Sequence, residues 1–338
     1  MKARVAWLTV GAFVFGCLFW KAFTGTPKER QQLLSHNRRY ALMTAFSALP
    51  CWNLPHLEWE KIGRQTSGVT TLYRGPNTGD SSKQIEELEV LASQKVDGII
   101  LFPADDKALA PEIDKLVAQN IPVITIFSDV PGSERLTYVG GSEVDAGRAV
   151  ARQLLADFPS FKTEETLAIF STAKSSISSQ IDRRTGIEQV LREEKVGLRI
   201  VEAVLDDIDE TKGAEAVHAA LLRHPNARVI IGTDSRSAIG AITALKELGR
   251  KPGEVIVTGW DSDADVLRAI QEGWVHLAPS LHLTAMVQIA FSFLEAHRFG
   301  YLYPEDNKNP WMVPDHVEVP LNMVTHRNGD DFLRHTKL

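Results

Sequence analysis

The chain predicts an α/β fold with parallel sheets in two lobes, on three observations. Short, unbroken apolar runs alternate with amphipathic stretches at helical spacing; no run of consecutive strands appears; and the alternation comes as two series of similar size. The clearest unit lies between Val96 and Phe127. Its apolar runs, Gly98 to Phe102 and Ile121 to Phe127, are β-branched, as parallel strands covered on both faces should be. Between them Leu109, Ile113, Leu116 and Val117 recur at helical spacing. Parallel sheets bind ligands just beyond the carboxyl ends of their strands, which puts Pro103, Ala104, Asp105 and Asp106 at a ligand-holding edge. Asp105 and Asp106 also suit a helix cap and a solvated charge.

In the first series, strands are predicted at Tyr40 to Phe46, Thr70 to Arg74, Gly98 to Phe102 and Ile121 to Phe127, with a short extended stretch at Leu136 to Val139. Helices at Pro55 to Gln65, Ser81 to Gln94 and Lys107 to Gln119 fill the gaps. The second series has strands at Thr166 to Ser171, Arg199 to Leu205, Ala227 to Gly232, Glu254 to Gly259 and His276 to Leu281. Its helices are Ser142 to Asp157, Ser178 to Glu194, Thr211 to Arg223, Ser235 to Leu248 and Ala264 to Glu272, and Val317 to Val324 reads as a final strand. Paired glycines at Gly140 and Gly141 allow a bend and mark the boundary between the lobes, so a cleft between them is the natural ligand site.

Length and charge bound the function. With 338 residues and 44% apolar content the chain can bury two ordinary cores. A formal charge of −6 without a basic stripe argues against nucleic acid as a partner. Two cysteines, Cys17 and Cys51, are too few to define a disulfide framework. The first residues set an address: Lys2 and Arg4 precede a charge-free stretch from Val5 to Trp20, followed by Lys21 and a polar segment. That pattern is an export segment, either a cleaved signal peptide or a retained anchor, and Val14-Phe15-Gly16-Cys17 resembles a lipoprotein cleavage box with Cys17 as the residue to be lipidated. The expected location is therefore periplasmic or extracytoplasmic, held to the membrane through the N-terminus.

Catalysis finds little support. Ser171 to Lys174 matches S-x-x-K but lies where a strand ends, without the companion motifs of that enzyme class. No HExxH, paired CxxC or phosphate-cradling GxxxxGK occurs, and the ten histidines are scattered, so no metal or cofactor is expected.

From about Arg39 onward the chain resembles the type I periplasmic binding proteins, in particular their ribose-binding-like, sugar-capturing branch. The segments that carry the resemblance are Gln84-Ile85 with Glu86 and Leu88, Val96 to Ile100, Ile121 to Ile124, Val139-Gly140-Gly141 before Ala146-Gly147, Arg183 to Gly186, Thr233-Asp234 through Ala241, and Val257 to Asp261. Their order and spacing are specific where any one alone is not. The resemblance implies two Rossmann-like lobes joined by three crossovers and closing on a ligand by hinge motion. It implies residues 39–141 with 282–309 as the first lobe and 142–281 with 310–338 as the second, after an export or anchor segment (1–24) and a linker (25–38). It further implies a monomer that delivers its ligand to an ABC permease or presents it to a membrane sensor protein.

Residue by residue, the resemblance assigns Trp52, after Pro50, to ring stacking, Arg183 to bidentate donation, and Asp234, Trp260 and Asp261 to the ligand edge of the second lobe. An aspartate there accepts from vicinal hydroxyls while an aromatic covers the apolar side of a sugar ring. Asp234 is also a natural N-cap for a helix starting at Ser235, and Arg183 would equally suit a helix surface. Leu49, Phe102, Phe127-Ser128 and Leu281 depart from the sugar-binding pattern and make the first-lobe edge greasier. Phe102 and Phe127 end buried strands and suit a core as well as a ligand contact. The expected ligand is a sugar or sugar derivative, with a nucleoside or other aromatic-bearing solute as the alternative, stacked on Trp52, Phe102 and Phe127.

Overall fold

The structure is a computed structural model that describes residues 37–173, 178–299 and 313–336. The export segment, Cys17, Lys174 and most of Asn307 to Pro314 lie outside the described residues. Among the described residues no helix is long and apolar enough to cross a membrane.

Two compact units emerge, Met1–Gly140 with Leu283–Glu318 and Gly141–His282 with Val319–Leu338. The chain therefore passes between units three times, the first at the Gly140-Gly141 pair. The last passage follows Glu318, not residue 309, and this has a local cause. The apolar run expected as one strand from Val317 to Val324 is two, because Val319-Pro320 interrupts it, and proline cannot donate to a ladder.

In the first unit the strands are β1 (Arg38–Met43), β2 (Val69–Arg74), β3 (Gly98–Leu101), β4 (Val123–Ile126), β5 (Thr137–Gly140) and β11 (His316–Glu318). They pair in the order β11-β5-β4-β3-β1-β2, all parallel. Helices α1 (Asn53–Gln65), α2 (Ser81–Ser93) and α3 (Asp106–Ala118) connect the strands, and α9 (Leu283–Arg298) returns to the unit from the other side of the sequence. Both β3 and β4 are buried throughout, which is why they read as unbroken apolar runs.

The return of α9 is locked by a buried polar knot. Glu295 accepts from Arg38 through Nε (2.9 Å) and Nη2 (3.2 Å) and from the Tyr40 hydroxyl (2.7 Å). Burial and then the neighbouring Glu295 charge push the Tyr40 pKa up, so the phenol stays a donor. Arg38 thus belongs to β1, not to a linker, and β1 ends at Met43 instead of Phe46.

In the second unit the strands are β6 (Thr166–Thr172), β7 (Leu198–Leu205), β8 (Ala227–Gly232), β9 (Ile256–Thr258), β10 (Val275–Leu281) and β12 (Leu321–Thr325). Their order is β12-β10-β9-β8-β6-β7. The sheet is parallel as expected, with one added antiparallel pairing at its edge, where β12 runs against β10. Helices α4 (Glu143–Asp157), α5 (Ser178–Glu193), α6 (Glu210–Arg223), α7 (Ser235–Glu247) and α8 (Ala264–Gln271) cover the sheet, and α10 (Gly329–Thr336) closes the chain. Two apolar cores flank this sheet, one built on Ile230, Ala241 and Leu267, the other on Val150, Ile187 and Trp260.

Both sheets reverse their strand order beside the first strand of the unit, between β3 and β1 and between β8 and β6. Helices that leave neighbouring strands in opposite directions part there, and the carboxyl edge opens.

Candidate functional site

At the carboxyl edge of the first sheet the aromatics predicted as ligand contacts stack on one another. Trp52 closes a 3-10 turn (Pro50–Trp52) after β1, Phe102 follows β3 and Phe127 follows β4. The Trp52 and Phe102 rings are stacked at 5.6 Å between centroids and 25° between planes. Phe127 meets Phe102 edge-on at 5.1 Å and 82°, and Phe46 lies 6.4 Å from Phe102. Trp52 is only 2% exposed and Phe127 8%, so the group packs as a small core whose outermost ring is Phe127.

Two polar groups hold this core in place. The Gln84 side chain, fully buried, donates from Nε2 to the Phe102 carbonyl and accepts from the Ala104 N–H, both at 2.8 Å. The Tyr138 hydroxyl donates to the Phe127 carbonyl at 3.0 Å. Phe127 needs that support, because its φ of 67° is left-handed and disfavours a side chain of this bulk. Asp105 turns out to be a cap: its carboxylate accepts from the Ala108 N–H at 2.9 Å and starts α3.

The carboxyl edge of the second sheet is polar. Arg183, on α5 after β6, is buried, so the surface-helix reading falls. Its guanidinium grips Glu143 in a fork, Nε to Oε2 at 2.7 Å and Nη2 to Oε1 at 3.1 Å, and Nη1 donates to the Thr233 carbonyl across the point where the strand order reverses. It also lies 4.2 Å over the Trp260 ring. Burial alone would lower the Arg183 pKa, but the Glu143 charge and hydrogen bonds keep it above its ordinary value, while burial pushes Glu143 up against the pull of Arg183. The sequence predicted a bidentate arginine; the carboxylate it grips is the protein's own.

Glycine makes that grip possible. A Cβ on Gly147 would stand 2.1 Å from the Arg183 carbonyl oxygen, and one on Gly186 would stand 1.9 Å from the Val144 carbonyl oxygen. Without side chains at these two positions α4 and α5 touch backbone to backbone. Glu143 and Arg183, each about one turn before its glycine, are thereby brought face to face.

Asp234 follows β8 and caps α7: its oxygens accept from the Ser237 N–H and hydroxyl, both at 2.7 Å. The same Ser237 hydroxyl lies 2.6 Å from an oxygen of Asp206, which follows β7 and also accepts from Ser171 Oγ at 2.8 Å. One hydroxyl carries one proton and cannot donate fully to both carboxylates, so the close pair favours a proton on one of them. Burial, and then the Asp206 charge, push Asp234 up to about 7. Ser171, the first residue of the S-x-x-K match, is spent on Asp206 inside a strand.

Asp261 follows β9 with a φ of 67° and sits more than nine-tenths buried. Its N–H donates to the Pro279 carbonyl at 2.9 Å, but no group among the described residues hydrogen-bonds its carboxylate. Burial, opposed by Arg183, pushes its pKa up to about 7. Beside it the Trp260 Nε1–H is fully buried and has no acceptor among the described residues; the Ser179 hydroxyl of α5 is likewise buried and unpaired. Buried polar groups nearly always find partners, so these two are free to bond a water or a ligand.

Glu143, Asp206, Ser237 and Gln84 were not singled out from the sequence as site residues. Asp206 could have been, because it follows its strand as Asp234 and Asp261 follow theirs. Glu143 could have been found by reading Gly147 and Gly186 as a helix contact.

Comparison with known proteins places this geometry. A family model described as a periplasmic binding protein domain matches residues 50–293. The ribose import binding protein RbsB of Bacillus subtilis (strain 168) is 26% identical over 195 residues, 57% of this chain and 60% of that protein, so the match spans less than two thirds of that relative. The galactofuranose-binding protein YtfQ of Escherichia coli (strain K12) is 25% identical over 282 residues, 80% of this chain and 86% of that protein. Among solved structures, GanP, a glucose-galactose binding protein from Geobacillus stearothermophilus, superposes with a TM-score of 0.77 at 25% identity, covering 87% of this chain and 99% of that one.

Proposed function

Because the chain belongs to the periplasmic binding protein family, in its ribose-binding-like sugar branch, we propose that it captures a sugar or sugar derivative at the carboxyl edges of its two sheets, closing by hinge motion. The relatives are named as binding proteins, and at the family level this is a solute-binding chain, not an enzyme. The observation that carries the reading is the set of unpaired groups in the second lobe. The Asp261 carboxylate, which no donor among the described residues hydrogen-bonds, and the buried Trp260 N–H, which has no acceptor there, are an acceptor and a donor of the kinds a hydroxylated ring complements. Arg183 positions them, Asp234 joins them at the next strand, and Phe127 offers an apolar edge from the first lobe. Trp52 and Phe102 act mainly as the support behind it.

The alternative ligand, a nucleoside or other aromatic solute, would stack on Trp52, Phe102 and Phe127. Those rings already stack on one another, which favours the sugar. The partner is an ABC permease or a membrane sensor protein that recognises the closed form, and the chain works as a membrane-held monomer outside the cytoplasm. A thermal-shift screen of the full chain in detergent against sugars, sugar phosphates, nucleosides and aromatic solutes tests the reading. A ligand at 100 times its dissociation constant adds about 2.7 kcal/mol. A shift with sugars supports capture; a shift confined to nucleosides or aromatics would replace it with the stacking reading.

A further inference from the structure

The chain leaves the first unit twice, after Gly140 and after Glu318, and the two departing strands run side by side. They pair in parallel, with Glu318 opposite Gly140 and His316 opposite Tyr138. The entry to β11 is clamped to the sheet. Arg135 donates from Nη1 to the Asp315 carboxylate at 2.9 Å and to the Asp315 carbonyl at 3.1 Å, and the Thr137 hydroxyl donates to the Pro314 carbonyl at 2.6 Å.

The exit is held differently. His316 turns Nε2 toward two oxygens, the Gly140 carbonyl at 3.1 Å and the Glu318 carboxylate at 3.3 Å, and lays its ring on Tyr138 with centroids 4.8 Å apart and planes at 28°. Both oxygens are acceptors, so Nε2 carries the proton, and one N–H bonds only one of them fully at a time. His316 and Glu318 are exposed, so solvent weakens either bond and passing from one to the other costs little. The Gly140 carbonyl belongs to the peptide that joins Gly140 to Gly141, which has glycine on both sides and turns with the least steric penalty. When it turns away, Glu318 remains as the acceptor.

Tyr138 connects this exit to the ligand edge. Its hydroxyl donates to the Phe127 carbonyl at 3.0 Å and supports the left-handed backbone there. It also lies against the bend, since a Cβ on Gly140 would stand 2.1 Å from the Tyr138 hydroxyl oxygen. One stacked ring pair thus touches the Gly140 bend, the end of β11 and the backbone of Phe127. Two acceptors at nearly equal distance give the pair two discrete arrangements, as coupling between sites requires.

We propose that His316 is a positioning residue for ligand capture. By passing its Nε2–H between the Gly140 carbonyl and Glu318, it lets the Gly140-Gly141 bend turn while Tyr138 and Phe127 keep their places at the ligand edge. The inference rests on the sugar-capture and hinge reading above and names the side chain that steadies the first-lobe edge during closure.

Calorimetry on the full chain in detergent with D-ribose, D-galactose and D-glucose, read with each variant's unfolding midpoint, tests this. His316→Phe keeps a ring on Tyr138 and loses the donor; His316→Gln keeps a donor and loses the ring. His316→Phe should weaken the sugar that binds the parent by about fivefold or more at a nearly unchanged midpoint, and His316→Gln should restore most of the affinity. Tyr138→Phe should weaken binding too, and the double variant with His316→Phe should lose less than the product of the two single losses, because both act on one path. Parent-like affinity in His316→Phe would overturn the inference. Losses that follow the midpoint equally in the Phe and Gln variants would reduce His316 to packing and overturn it as well. Independent losses in the double variant would overturn the link through Tyr138. If no sugar binds the parent chain, sugar capture fails and this inference with it.

Discussion

The two sheet edges were built by the same topology and filled with opposite chemistry. In the first lobe three aromatic rings satisfy one another and Gln84 and Tyr138 satisfy the backbone around them, and among the described residues of that edge the Thr44 hydroxyl is the buried polar group left without a partner. In the second lobe burial leaves the Trp260 N–H, the Ser179 and Thr258 hydroxyls and the Arg236 Nε–H without partners among the described residues, beside an Asp261 carboxylate that meets the Arg183 charge but no hydrogen-bond donor. The difference separates a wall from a reader. Apolar groups lose nothing by packing on each other, whereas a buried polar group without a partner costs about 1–3 kcal/mol and persists only where something else recovers it.

The comparison can be broken most severely at Arg183. Replacing it with Ala strands Glu143 in the core, and breaking a buried pair in this way costs about 3–5 kcal/mol. Urea unfolding should show that loss together with loss of sugar binding. A loss below about 1 kcal/mol would mean that the fork does not hold the edge together.

Trp52→Ala should destabilise by a similar amount, about 3–5 kcal/mol, through lost packing. Here sugar affinity, measured where the variant is folded, should stay within about threefold. Affinity lost without a stability change would turn the first-lobe wall into a reader as well.

The pH dependence distinguishes the edges next. Asp234 and Asp261 bind their protons more tightly folded than unfolded, so the stability they contribute is fully present below about pH 4 and is lost as pH rises toward 7. Thermal unfolding of the unliganded chain should therefore show a contribution falling from about pH 4 to pH 7, and Asp261→Asn should reduce that slope. An unchanged slope in that variant would place the titration elsewhere.

Smallest is the backbone term. At φ 67° glycine is favoured over other residues, so Phe127→Gly should be about 1 kcal/mol more stable than Phe127→Ala, although both lose the ring. Equal stabilities would show that Tyr138 does not hold Phe127 against strain.

Much of this fold was legible because its signals are local. The buried runs of β3 and β4, the cap at Asp234 and the Gly140-Gly141 passage are written in contiguous residues. What was missed is contributed by distant ones. The partner of Arg183 lies forty residues earlier in the chain, and the Arg38–Glu295 lock joins residues 257 apart. Helix α9, Leu283 to Arg298, was not predicted as an element, and α10 offers the core only Phe332 and Leu333, too short a pattern to read from spacing. The split of Val317 to Val324 is written in the sequence at Pro320. At the site, residue types were readable at Trp260 and Asp261, but whether a side chain is paired depends on every neighbour, and no spacing reports that.

The central claim is that recognition lies with the second-lobe carboxyls. Its most direct test is the dissociation constant of the best-binding sugar for the parent chain, Asp261→Asn and Phe102→Ala, read together with each variant's unfolding midpoint. The account predicts an affinity loss of about tenfold or more for Asp261→Asn at unchanged or raised stability, and a stability loss at near-constant affinity for Phe102→Ala. The reverse pattern would contradict it.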